Sequence, residues 1–292
     1  MTNTDMSVPS QPASPEGGDA GPEREVTLAI LVFLAFFVGL VAAAGAIFFK
    51  YLIAAIYNLA FYGVLSIHLD PNSYGEPSVW GPFIILVPVI GGLMVVYLVK
   101  TFAPEAKGHG VPEVMFAIYH RDGNIRGIVA VIKAFASALS IGTGASVGRE
   151  GPIIQIGSSF GSTLGRWLGL IRSQKIILLA AGAGAGIAAT FNTPLGGVLF
   201  AVEVLLPEIS PRSFLPVVAA TATSTYAYRQ MIGAEAAFYI PVWKTLPQEN
   251  AVNFAEIGLA AFTGVAMGFA AFAFVKILVF MEDWFDEMQF SD

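Results

Sequence analysis

Two stretches of this sequence combine glycine, proline and glutamate in an order suited to holding a negative charge. In Gly108-His109-Gly110-Val111-Pro112-Glu113, and again in Gly148-Arg149-Glu150-Gly151-Pro152, a flexible glycine stretch runs into a proline. Proline suits the first turn of a helix because its missing N–H would have found no partner there. The other N–H groups of that turn point out along the axis and together carry about half a positive charge. A helix that begins where water is absent leaves those donors needing an acceptor, and an anion supplies one. Two converging starts would build an anion site from partial charges alone. A full lysine or arginine charge in low dielectric would hold the ion too tightly to release it.

Glu150 stands at the second of these starts. Its carboxylate is itself an anion that can occupy the site. Ionised, it competes with a mobile anion and shuts the path; protonated or displaced, it opens it. One side chain would then couple conduction to pH, to the anion and, because it carries charge in the field, to voltage. On its own residues the segment also allows a plainer role, in which Glu150 caps its helix or pairs with Arg149.

The elements that must position these residues are membrane helices. The chain of 292 residues is 55% hydrophobic and only 12% charged, about half the charge of an ordinary soluble domain. Val26 to Phe49, Val79 to Val99 and Ile176 to Val202 hold no Lys, Arg, Asp or Glu, and each is long enough to cross a hydrocarbon core of about 30 Å. Ile153 to Gly165 and Ser213 to Tyr228 are shorter. Short, Gly/Pro-interrupted segments beside full-length ones predict broken or re-entrant helices around a polar site. The first helix runs from Val26 to Phe61, long enough to be strongly tilted, and a second from Val79 to Phe102. A short helix ends at His120, Gly127 to Gly148 is helical with Lys133 alone inside it, and further helices cover Ser213 to Ile232 and Asn253 to Glu287. Leu69 to Trp80 is a polar loop. The basic cluster Arg166, Arg172 and Lys175 is the cytoplasmic loop and Leu69 to Trp80 the external one.

Residues 1–25 are rich in Pro, Ser, Gly and acids and read as a disordered polar tail without the basic start of a signal peptide. The net charge of −6 comes with no basic stripe, which leaves nucleic acid without a footprint. No cysteine is present, so disulfides and thiolate metal sites are excluded. An enzyme would need a nucleophile with a base, or a metal cluster. The three histidines (His68, His109, His120) are scattered, and His-Glu-x-x-His does not occur. A non-conducting scaffold would leave the burial of Glu150 among glycines unexplained.

Gly148 to Pro152, followed by Ile153-Ile154-Gln155-Ile156-Gly157, resembles the strongest signature of the CLC family of chloride channels and chloride/proton exchangers. Gly108 to Glu113 is similar to that family's other first-half filter motif. Gly182-Ala183-Gly184-Ala185-Gly186, Phe191-Asn192-Thr193-Pro194-Leu195-Gly196-Gly197 and Phe200 to Glu203 resemble it too. The resemblance implies an all-α integral membrane fold of tilted and broken helices in two inverted halves, a homodimer with one pore per subunit, and a place in the plasma membrane. It implies Glu150 as the gating glutamate, with the backbone near Gly108, His109, Gly110, Val111 and Pro112, and near Gly148, Arg149, Gly151, Pro152 and Ile153, lining the anion path. It implies no cofactor, chloride being the transported ligand and the lipid bilayer the surroundings. Residues 26–252 then form the first membrane repeat and residues 253–292 the opening helix of a second.

Three departures from the pattern stand out. The family usually has serine where this chain has His109, which keeps nitrate, bromide and fluoride open beside chloride. Proton-coupled members carry a further glutamate immediately after the position matched by Glu203, and here Val204 stands there. Valine holds no proton, so the expectation is a passive chloride channel gated by Glu150, with a chloride/proton or fluoride/proton antiporter as the alternative. Glu203 itself reads as a structural membrane glutamate with a backbone or arginine partner. Finally, no Gly-x-Phe-x-Pro occurs, so the second half of the pore is expected from elsewhere.

Overall fold

The computed structural model describes residues 24–68, 77–102, 110–234 and 254–287. The helices are α1 (Leu28–Tyr62), α2 (Leu86–Phe102), α3 (Gly110–His120), α4 (Gly127–Gly142), α5 (Glu150–Trp167), α6 (Arg172–Phe191), α7 (Pro194–Phe200), α8 (Pro211–Ile232) and α9 (Phe254–Glu287). Among the described residues the one β-type pairing is a single bridge between Arg24 and Leu170. Helices α1 to α8 lie in one compact unit and α9 in another.

In the first unit, α6 is the core. Its residues from Gln174 to Gly186 are all buried, so it is an inner helix with neighbours on every side. Small residues let those neighbours approach to backbone contact, the packing mode of helices in lipid. A Cβ on Gly157 of α5 would land on the Gly182 carbonyl of α6, and one on Gly161 would land on the Leu178 carbonyl. Gly184 meets Gly197 of α7, and Gly39 of α1 meets Ala220 of α8, in the same way. Across the α6–α8 contact, Ser224 Oγ donates to Ala185 O at 2.7 Å.

Four stretches are long and apolar enough to cross a membrane: Leu28–Tyr62, Gly81–Phe102, Arg172–Phe191 and Phe254–Phe285. The 35 residues of α1 extend about 52 Å at 1.5 Å per residue, well beyond a core of about 30 Å, so the helix tilts or projects past it. The second unit contributes α9, a 34-residue helix whose large apolar side chains are exposed throughout.

Four sequence expectations change. The charge-free run Ile176 to Val202 is broken rather than continuous. Asn192 adopts a left-handed conformation (φ 57°), and Thr193 Oγ1 accepts the Gly196 N–H at 3.2 Å to start α7. Pro194 causes the break, because the residue before proline is disfavoured in helix and asparagine tolerates the αL position at a helix end. A π turn, Ala201–Leu205, follows α7. The segment expected to be helical to Gly148 stops at Gly142, with Gly144 at φ 96°. The start of the second span is a 3₁₀ turn, Gly81–Ile85, before α2. The expected tail lies outside the described residues up to residue 23, and its last two positions are held. Arg24 N donates to Gly169 O at 2.7 Å and Arg24 O accepts from Ile171 N at 3.3 Å, which satisfies backbone groups of the α5–α6 turn. Gln174 then clasps Val26, accepting its N–H at 3.0 Å and donating to its carbonyl at 2.7 Å.

Gly157→Val tests the packing. With no room between α5 and α6, the substitution is expected to cost upwards of about 3 kcal/mol, read as a lowered midpoint in thermal unfolding of the detergent-purified protein. A variant at exposed Gly92, where a Cβ meets nothing, serves as the control.

Candidate functional site

The two Gly/Pro stretches become two helix starts that touch. α3 begins at Gly110 and α5 at Glu150, placing Pro112 and Pro152 third in their helices. A Cβ on Gly110 would stand only 2.5 Å from Gly151 Cα and 2.9 Å from its carbonyl carbon. Gly110 could not carry a side chain there without driving the two starts apart. Gly108 and His109 lie outside the described residues.

At the α5 start, Pro152 removes one donor, and the Ile153 N–H turns back toward Arg149 O at 3.4 Å. Ile153 therefore belongs to the helix ladder rather than to its free end. The amides of Glu150 and Gly151 have no backbone acceptor among the described residues. Glu150 and Gly148 are exposed, and the Glu150 carboxylate folds back over Gly148, where a Cβ would collide with it. Arg149 turns elsewhere, its guanidinium lying 5.6 Å from the Phe191 ring centroid, a cation–π distance. The pairing of Glu150 with Arg149 is thus not formed.

Behind the two starts lies a polar network that motif reading missed. Glu113, in the first turn of α3, accepts from Gln155 Nε2 of α5 and from Lys133 Nζ of α4 at 3.5 Å. The Lys133 and Glu113 side chains are 13% and 21% exposed, and Gln155 is fully enclosed at 2%. One glutamate therefore ties three helices together at the level where two of them begin. The charge is balanced locally, so the carboxylate does not oppose a second anion at the starts. Among the described residues Gln155 Oε1 has no partner, a buried acceptor open to a donor. The signal available beforehand was the solitary Lys133 inside an apolar helix, since an intramembrane charge marks a partner nearby.

The second region of interest stands apart in the chain. Val204 lies in the π turn after α7, partly buried against the core, and Glu203 beside it is exposed. Glu203 has neither a hydrogen bond nor an ion pair among the described residues, contrary to the partner expected for it. Such π turns occur often at functional sites.

A family model described as "Voltage gated chloride channel" matches residues 91–291, well over half of the chain. The chain belongs to this family. The chloride-channel family members similar to it include the H(+)/Cl(-) exchange transporter ClcA of Vibrio campbellii. That relative is 31% identical over 206 residues, which is 67% of this chain and 41% of the relative. A putative chloride channel protein, ClcB-like, from Ralstonia nicotianae is 29% identical over 61% of this chain and 42% of its own length. The chain thus spans less than half the length of these relatives. Among solved structures, a slow cyanobacterial Cl-/H+ antiporter superposes with a TM-score of 0.70 at 25% identity, covering 90% of this chain and 59% of the other. A CLC-type fluoride/proton antiporter matches the fold with a TM-score of 0.71 at 24% identity, over 90% and 62%. The all-α integral membrane CLC fold expected from sequence is therefore the fold of this chain.

Lys133→Met should expose the cost of the network. Removing one partner of a buried pair typically destabilises by about 3 kcal/mol or more, and the double change Lys133→Met with Glu113→Gln should recover most of that loss. Thermal unfolding of the single and double variants measures it; equal losses in both would show that the pair is not coupled.

Proposed function

We propose that this chain supplies one half of a transmembrane anion pathway that exchanges chloride for protons, with Glu150 as its gate. The observation that carries this reading is the backbone contact of Gly110 with Gly151, which joins two helix starts beside a glutamate. The free amides of Glu150 and Gly151 supply the partial positive charge, and Glu150 supplies the competing anion. When its carboxylate is ionised it takes the site; when it takes up a proton it leaves, and chloride enters. Return of the proton to the opposite side restores the block, so chloride and protons move in opposite directions.

The Val204 departure placed a passive channel first. The relatives named as exchangers support proton coupling instead, and coupling is the reading adopted. Valine still carries no proton, so the inner leg of the proton route falls to water or to exposed Glu203. Because Gly148 and Glu150 are open on one side, we assign the facing wall to a second repeat, and the assembly to a homodimer in the plasma membrane. Chloride is the proposed ion, with His109 making fluoride the alternative. Transport needs neither a cofactor nor nucleic acid, and we assign the protein no enzymatic role.

The test is flux from liposomes holding the complete two-repeat transporter, loaded with chloride and diluted at equal pH into low-chloride medium, with chloride and external pH followed together. Exchange predicts chloride efflux with external alkalinisation as protons move inward, and Glu150→Ala should abolish the proton movement while chloride efflux continues. Chloride leaving without protons would return the channel reading, and movement of neither ion would overturn the anion pathway. Replacing internal chloride with fluoride in the same experiment separates the two ions.

A further inference from the structure

An apolar groove of about 430 Å³ opens between α1, α4 and α5. Gly45 and Phe48 of α1, Gly127, Val131 and Phe135 of α4, and Trp167 of α5 are among its walls. It runs about 12 Å along α4 from Gly127 to Phe135, and about 17 Å along α5 from Ile156 to Trp167, at 1.5 Å per residue. One leaflet of a bilayer is about half of a 30 Å hydrocarbon core, so the groove has the depth of a single leaflet. Away from the Gly127 and Trp167 end, the rings of Phe48 and Phe135 meet edge to face with centroids 6.2 Å apart. Among the described residues no carboxylate lines it.

Its other end is basic. Arg126 immediately precedes Gly127, Arg166 immediately precedes Trp167, and both arginines are exposed. The turn before α4 is pinned to the end of α5, because Ile125 N donates to Ser162 Oγ at 3.0 Å and Ser162 Oγ donates to Gly123 O at 2.6 Å. That tie holds the chain positions of the two arginines, each next to a lining residue, at the same end of the groove. The acid of this turn, Asp122, is taken by Arg172 at 3.0 Å. Trp167 is 80% exposed, as an indole at the membrane interface is.

We propose that the groove seats one acyl chain of an anionic phospholipid, its phosphate held between Arg126 and Arg166. An apolar slot of leaflet depth takes the chain, and a basic mouth at head-group level selects the charge, as basic pockets between membrane helices do. The site is separate from Glu150 and stands whether or not the transport reading does.

Native mass spectrometry of the delipidated protein, titrated with phosphatidylglycerol and separately with phosphatidylcholine, tests it. Wild type should retain a phosphatidylglycerol adduct at a concentration at least about tenfold lower than phosphatidylcholine, and the pair Arg126→Gln with Arg166→Gln should raise the phosphatidylglycerol midpoint about thirtyfold. Val131→Trp fills the slot with both charges intact and should weaken either lipid. Thermal unfolding confirms that each variant is folded. Adducts that survive both changes, adducts lost with the arginines but indifferent to Val131→Trp, or no wild-type adduct because another segment covers the groove, would each overturn the proposal.

Discussion

Everything in the first unit depends on how closely helix backbones can approach when no side chain stands between them. In lipid there is little hydrophobic force between helices, so contact rests on packing and on hydrogen bonds. The glycines of α5 and α6 permit that contact along the whole pair, from Gly157 against Gly182 to Gly161 against Leu178. The same condition brings Gly110 onto Gly151. Were either contact held open by a methyl group, the two helix starts would separate and their free amides would no longer share one site.

Charge in the interior obeys a different constraint. An ionised group taken out of water must be paired or solvated by fixed dipoles. Glu113 is paired, with Lys133 and Gln155 around it, and so becomes part of the scaffold. Glu150, in the first turn of α5, makes neither a hydrogen bond nor an ion pair among the described residues and is exposed. Two glutamates in two similar motifs thus take opposite roles in the structure. Their places differ as well as their neighbours: Glu113 follows its proline by one residue, inside the helix, and Glu150 precedes its proline by two, at the helix start.

The broken helices serve this arrangement. A continuous span carries its free amides to the membrane surface, where water satisfies them. Stopping α4 at Gly142 and starting α5 at Glu150, and likewise stopping α6 at Phe191 before α7, leaves polar ends within the folded unit. The π turn that carries Glu203 and Val204 follows from the second of these breaks. The similarity in fold to two proton-coupled antiporters accords with helices arranged around such ends.

Much of this was legible in the residues themselves. Apolar runs without charge announced membrane helices, and the two Gly/Pro stretches announced helix starts, because proline and glycine act on the backbone locally. The break at Asn192 to Pro194 was visible as a motif but hidden inside a charge-free run, since hydropathy registers side chains and not dihedral angles. What sequence could not specify was which groups meet. That Glu113 joins Lys133, 20 residues away, and Gln155, 42 residues away, depends on α3, α4 and α5 packing together. That Arg149 leaves Glu150 for Phe191 depends on where α6 ends. Sequence by itself determined the helices and their starts, through local backbone chemistry; the tertiary structure alone decided which starts converge and which charges are paired, because those are contacts between segments distant in the chain.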